Sequence, residues 1–171
     1  MLNGAASISK ISKPTSVIPQ IDYRHSERIF CVSFEAKDLA SKDISIDAYK
    51  ISEGIGIKTF QSNANQKIAE FNDRIKFPEP IGSTLDIAKT ISQYRNMRLN
   101  KDINNYNLSK LIYHFIFRKK NGDINIFEQE MTSINLDAIY TKDSRKQHIV
   151  KFSDGVHDYS FNSSKSTLYM K

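Results

Sequence analysis

Three groups of residues have types and spacings that could do chemistry. Asp22, followed by Glu35-Ala36-Lys37, has the parts of a restriction-type nuclease core, in which two acids hold a metal ion and a lysine aids the attacking water. An acid-x-Lys triplet also arises by chance in a chain of this length. The helix that normally precedes the pattern has no counterpart here. Cys31 with His25, or with a distant histidine, could form a nucleophile–base pair. Cys31, however, is flanked by Ile29, Phe30, Val32 and Phe34, and burial among apolar side chains raises a thiol pKa where a nucleophile needs it lowered. The favoured reading is an inert core thiol. Among the histidines, His25, His114, His148 and His157, no two have the i,i+4 helical spacing of a zinc-protease site. His148 and His157 could approach each other across a hairpin with Asp158 as a third ligand, but histidines packed on sheets are commoner than ligands.

Other catalytic patterns are missing. Gly54-Ile55-Gly56 is followed by neither a third glycine nor Gly-Lys-Ser/Thr, so it is not a phosphate loop. There is no G-x-S-x-G elbow and no zinc-deaminase signature. A single cysteine excludes an internal disulfide and a multi-cysteine zinc cluster. No cofactor is expected, and the balance leans away from an enzyme.

The elements that would carry these residues follow from periodicity. Residues 28–34, RIFCVSF, are β-branched and aromatic and predict a buried strand. The stretch 36–60 is ambiguous: Ile44, Ala48, Ile51 and Ile55 fit a helical face, but Gly54 and Gly56 weaken its end. In 62–76, Ala64, Ile68, Phe71 and Ile75 recur at helical spacing, with Ser62 or Asn63 as cap and Glu70–Arg74 as an outward i,i+4 pair. Pro78 and Pro80 end it. A second helix is predicted from Ser83, whose pairing with Asp86 approximates a capping box, to near Arg98, with KDINNYN as a polar loop behind it.

From residue 110 the period becomes two. LIYHFIFRK, the turn Asn121-Gly122 and INIFEQEM predict a hairpin. A two-residue turn would set Phe115 opposite Glu128 and Tyr113 opposite Glu130, a poor match that a longer loop or a bulge would relieve. NLDAIYT is a plausible third strand. QHIVKFS, Asp154-Gly155 and VHDYSF predict a second hairpin. There Phe152 faces His157, Val150 faces Tyr159 and His148 faces Phe161 on one side, with Lys151 facing Asp158 on the other. The expected fold class is α+β: an N-terminal strand and two or three helices packed on a C-terminal antiparallel β meander of four to five strands.

The chain has 171 residues and a net charge of +6, which invites a nucleic-acid partner. The charge is not concentrated. Two of the six belong to residues 1–21, which hold Lys10 and Lys13 and no acid. The clusters Arg118-Lys119-Lys120 and Arg145-Lys146 flank predicted turns, so a solvated surface is the better reading and nucleic acid is not expected. No apolar run reaches the ~18 residues of a transmembrane helix.

The first twenty residues, MLNGAASISKISKPTSVIPQ, hold no acid and no aromatic. Pro14 and Pro19 interrupt any helix. There is no unbroken apolar core for a secretory signal and no arginine for a mitochondrial presequence. An ordinary flexible N-terminus and an export leader both remain open. Residues 1–21 are therefore read as a flexible export leader and 22–171 as a single α+β domain.

In this Ser/Ile/Pro-rich, acid-free leader, and in its size and composition, the chain resembles the small type III secreted effectors of Gram-negative pathogens, and among them the EspH-type effectors of attaching-and-effacing enterobacteria. The resemblance implies a non-enzymatic protein-binding module delivered into the host cell cytoplasm, and the lack of a long apolar run leads to the expectation that it is soluble or at most peripheral to a membrane. It also implies a secretion chaperone on the N-terminal segment and host partners among regulators of Rho-family GTPases and actin. It brings no binding residues with it. From residue type alone, Tyr94, Arg95 and Arg98 are the contact candidates, since Tyr and Arg are enriched at interface hot spots. The competing reading packs Tyr94 in the core.

Overall fold

The computed structural model describes residues 22–61, 65–119, 123–142 and 148–171. The leader 1–21, the cap candidates Ser62 and Asn63, the turn Asn121-Gly122 and the Arg145-Lys146 pair lie outside them. The chain divides into two compact units, one formed by Met1–Ala64 with Lys101–Thr132 and the other by Asn65–Asn100 with Ser133–Lys171. The fold is α+β: among the described residues there are two α-helices and two five-stranded sheets, one sheet in each unit.

The first unit opens with α1 (Tyr23–Phe34), where a strand was expected over 28–34. A run of apolar residues this short fits either period, and the residues before it decide. The Asp22 carboxylate accepts from the Arg24 N–H at 2.8 Å and caps the helix. Ser26, Glu27, Phe30 and Cys31 are the buried positions, a stripe at spacings of four and three. Glu35 ends the helix in the left-handed region at φ 53°, and the Ala36 N–H closes on the Cys31 carbonyl at 3.0 Å.

The sheet under α1 is built from β1 (Lys37–Asp38), β2 (Ala48–Lys50), β3 (Glu53–Gln61), β5 (Lys110–Arg118) and β6 (Ile124–Glu130), in the order β1-β2-β3-β5-β6. The positions that suggested a helix over 44–55 are strand positions. Ala48 pairs with Ile55 across β2 and β3, and Ile51 stands in the turn between them at φ 57°. Gly54 is needed for close approach, since a Cβ there would lie 2.6 Å from the Leu111 side chain on β5. β3 and β5 run parallel, from Glu53 opposite Lys110 to Gln61 opposite Arg118. The other pairs are antiparallel. Phe30 and Cys31 of α1 form one core cluster with Ala48, Ile55, Ile57, Ile112 and Ile116, and Ala36 and Ile124 pack against it.

The hairpin β5–β6 forms, one residue away from the expected pairing. Phe115 faces Phe127, Tyr113 faces Gln129 and His114 faces Glu128. The Lys119 N–H meets the Asp123 carbonyl at 2.9 Å, so the loop is longer than two residues. A one-residue slip exchanges the faces of a strand. Here it replaces the Phe–Glu mismatch with Phe115 and Phe127 stacked at 4.8 Å.

In the second unit the sheet order is β4-β10-β9-β8-β7, from β4 (Gln66–Glu70), β7 (Tyr140–Lys142), β8 (Ile149–Ser153), β9 (Asp158–Asn162) and β10 (Thr167–Met170). The expected helix over 62–76 is replaced by β4, which pairs with β10 and carries a bulge opposite Leu168 and Tyr169. Ile68 and Phe71 are buried, but Ile75 is 93% exposed, so the helical stripe was a coincidence of three short segments. Glu70 pairs with Lys67 at 2.9 Å instead of Arg74. The NLDAIYT segment splits into a single 3-10 turn, Leu136–Ala138, and the short strand β7.

The second hairpin keeps its apolar face but shifts its partners by two. Phe152 faces Tyr159 and Val150 faces Phe161, an even shift that leaves every side chain on its expected side. The loop is longer because the Asp154 carboxylate takes the Val156 and His157 N–H groups at 3.1 and 2.8 Å, an Asx turn. Asp158 is paired with Lys142, where Lys151 was expected.

Helix α2 (Thr84–Tyr106) starts as expected: the Asp86 N–H donates to Ser83 Oγ at 3.2 Å and the Ser83 N–H donates to Asp86 Oδ2 at 2.9 Å. It continues through KDINNY, read above as a loop. Asp102 is buried and accepts the Ser45 N–H at 2.6 Å. The stop comes at Asn107, φ 50°, with the Leu108 N–H on the Ile103 carbonyl at 3.0 Å. No described helix is long and apolar enough to cross a membrane.

Candidate functional site

The nuclease pattern is pulled apart by α1. Asp22 caps its first turn and Glu35 ends it, so at 1.5 Å per residue the two carboxylates sit about 20 Å apart along the axis. Lys37 lies exposed on β1. Cys31 is on the buried face of the same helix, and burial pushes its thiol up to about 11. His25 sits six positions earlier on α1 and lies 3.7 Å from Asp22. In the second unit, His148 precedes β8 while His157 lies in the loop at its far end. A five-residue strand between them sets the two about 17 Å apart. The Asp158 carboxylate is engaged by Lys142, whose hydrogen bond holds it below the usual carboxylate range. Among the described residues, no three His, Cys, Asp or Glu side chains converge as metal ligands.

The contact candidates on α2 are committed to their own unit. The Tyr94 hydroxyl donates to the Pro78 carbonyl at 3.2 Å, and its ring packs on Phe71 and Phe77. Arg95 is 3% exposed. Arg98 donates to the Glu70 carbonyl at 2.7 Å and lies over the Phe77 ring. The three therefore do not form one exposed patch.

The structure draws attention to residues that pattern reading missed. Under α1, Glu27 is buried and its carboxyl is pushed up to about 7, by burial first and then by the neighbouring Asp47. Arg24 approaches it at 3.4 Å, and Lys58 pairs with Asp47 at 3.0 Å. On β5, His114 is buried against the Phe30 ring, with its Nδ1 3.0 Å from Glu128 Oε1 on β6.

That contact leads to the edge of the first sheet. Among the described residues β6 pairs with β5 on one side only. Ile124, Ile126, Glu128 and Glu130 stand opposite Arg118, Ile116, His114 and Ile112, on the α1 side. Phe127 is on the other side, against Phe115 and Phe60. Ile126 is 51% and Phe127 46% exposed. Edge strands are usually blunted by charged side chains, lysine above all, by proline or by a covering element; INIFEQE has no lysine or proline, and its two charges, Glu128 and Glu130, fall at one end. This composition is legible in the sequence. The edge position is not, because it depends on the parallel pairing of β3 with β5.

The chain matches no protein-family model, no curated protein and no solved structure.

Proposed function

We propose that the chain is a protein-binding module delivered by type III secretion, acting on host proteins, with regulators of Rho-family GTPases among its partners. What supports the binding role is β6, where Ile126 and Phe127 are each about half exposed on a strand that, among the described residues, is paired along one side. A strand edge with exposed apolar side chains can accept a further strand. What supports export is the acid-free leader of residues 1–21, to which a secretion chaperone would bind before delivery to the host cytoplasm.

Two experiments test the two halves. Deleting residues 2–20 should abolish translocation in a secretion-competent strain and leave the melting curve of the purified protein unchanged; loss of folding on deletion would refute the leader. Affinity capture from host-cell lysate with the full chain should return a stoichiometric regulator of Rho-family GTPases. A bait that returns no stoichiometric partner would refute the binding role.

A further inference from the structure

We infer that α1 is a pH-released cover of the first sheet: ionisation of Glu27 lifts the helix away while the strands beneath it stay paired. The inference concerns the interior of the first unit and does not depend on what the protein binds. The buried positions of the twelve-residue α1 are Ser26, Glu27, Phe30 and Cys31, and of these Phe30 and Cys31 join the apolar cluster with Ala48, Ile55, Ile57, Ile112 and Ile116. A helix of this length is marginal by itself, so packing has to hold it. Beyond that narrow face, Arg24 donates to the Ala40 carbonyl, Lys50 Nζ donates to the Phe34 carbonyl at 2.6 Å, and the Phe30 and Phe34 rings rest on His114. The strands hold one another through ladders of their own, β3 to β5 from Glu53 to Gln61. Lifting α1 therefore breaks no strand pairing. Glu35, in the left-handed region at φ 53°, is the joint on which it would turn. Local openings of this kind draw on the least firmly packed elements of a fold.

Glu27 stands where a charge is hard to keep, with its side chain 8% exposed. From α1 itself, Arg24 reaches it at 3.4 Å, but that side chain is half exposed and also serves the Ala40 carbonyl. From the segment between β1 and β2, Asp47 adds a second negative charge, and from β3 Lys58 adds a positive one. Lys58 is engaged by Asp47 at 3.0 Å, and the same Asp47 oxygen accepts the Ile57 N–H at 2.7 Å. One turn along α1, Asp38 of β1 acts on Cys31 together with Glu27 and Asp47. From β5, His114 packs on Phe30 and Phe34 and is joined to Glu128 at 3.0 Å. A protonated Glu27 is a neutral group under the helix. Once ionised it is a buried carboxylate whose near cation is shared, and such a charge is costly until it returns to water. The carboxyl titrates at about 7 in place against 4.5 unperturbed. The cover is thus tightest in acid and loosens as pH rises through that window.

Cys31, the single cysteine of the chain, lies on the buried face of α1 and reports the opening without any added probe. The full chain is treated with dithiodipyridine at low concentration, and the labelling rate is divided by that of the urea-unfolded chain at the same pH, which removes the titration of the thiol itself. The normalised rate should rise roughly seventyfold from pH 5 to pH 8, and by less than about threefold in Glu27→Gln. It should level off where the Glu27 carboxyl carbon resonance of the native chain titrates, a measurement that needs no variant. Urea below the unfolding transition should leave the rate almost unchanged, since lifting one helix exposes little surface. A rate that does not rise with pH would overturn the proposal. So would an equal rise in Glu27→Gln, a climb that continues past the titration of Glu27, or a urea slope as steep as that of global unfolding, which would mean that the sheet opens together with the helix.

Discussion

Replacing Glu27 with glutamine should remove most of a pH dependence that α1 builds into the first unit. Glu27 is 6% exposed. Its carboxyl titrates at about 7 in the folded chain against 4.5 for an unperturbed group, because burial and then Asp47 disfavour the charge, with Arg24 and Lys58 opposing. Below pH 4.5 the folded and unfolded chains both hold the proton, and the group makes no difference to stability. As pH rises toward 7 the unfolded chain ionises readily and the folded chain does not. Stability is therefore lost across that window and stays lost above it. The gap between the two values, at 1.36 kcal/mol per pH unit, is worth about 3 kcal/mol. Glutamine keeps the shape and cannot titrate. In urea denaturation at pH 5 and pH 8, the difference in unfolding free energy between Glu27→Gln and the native chain should move by about 2.5 kcal/mol in favour of the variant at the higher pH, since part of the penalty is already present at pH 5. Comparing the two proteins cancels the titration of groups that do not interact with Glu27. A difference constant to within ~0.5 kcal/mol would refute the reasoning, as would a Glu27 carboxyl carbon resonance titrating near pH 4.5.

The Cys31 thiol, pushed up to about 11, should hold about a hundredth of the ordinary thiolate fraction at pH 8; reaction with a disulfide reagent within tenfold of the urea-unfolded rate would contradict its burial. Ser83→Ala removes both hydrogen bonds of the Ser83 hydroxyl, to Asp86 Oδ2 and from the Asp86 N–H. It should cost about 1 kcal/mol, read as a fall of roughly 2–4 °C in Tm. Phe161→Ala empties a side chain that is 1% exposed in the second core. It should cost about 3–5 kcal/mol by urea denaturation, and a cost below ~1 kcal/mol would show that the site collapses freely.

The sequence was most readable where local rules act alone. The Ser83–Asp86 cap sits where it was expected, and the faces of β8 and β9 survive a two-residue shift because an even shift preserves the alternation. Local reading failed where a distant partner decides. Ile68 and Phe71 fit a helix until β10 offers β4 a partner almost a hundred residues away. RIFCVSF fits a strand until Asp22 and the buried Ser26 and Glu27 set a helical start ahead of it. The extension of α2 past Arg98 depends on Asp102 meeting the Ser45 amide, a contact that no window around residue 102 contains. The candidate site shares this limit. The composition of β6 is visible in the sequence, but its place at an edge is a property of the whole sheet.

The parallel pairing of β3 with β5 has a kinetic consequence. Glu53 meets Lys110, so the centre of the first sheet cannot close until more than fifty further residues have been supplied. Pairings across such a long loop form late, because the chain entropy is lost before the contacts repay it. A chain made N-terminus first presents α1, β2 and β3 before their partner exists. These would stay unlocked until β5 emerged. An arrangement of this kind holds the first sheet open until the last of its central strands has arrived.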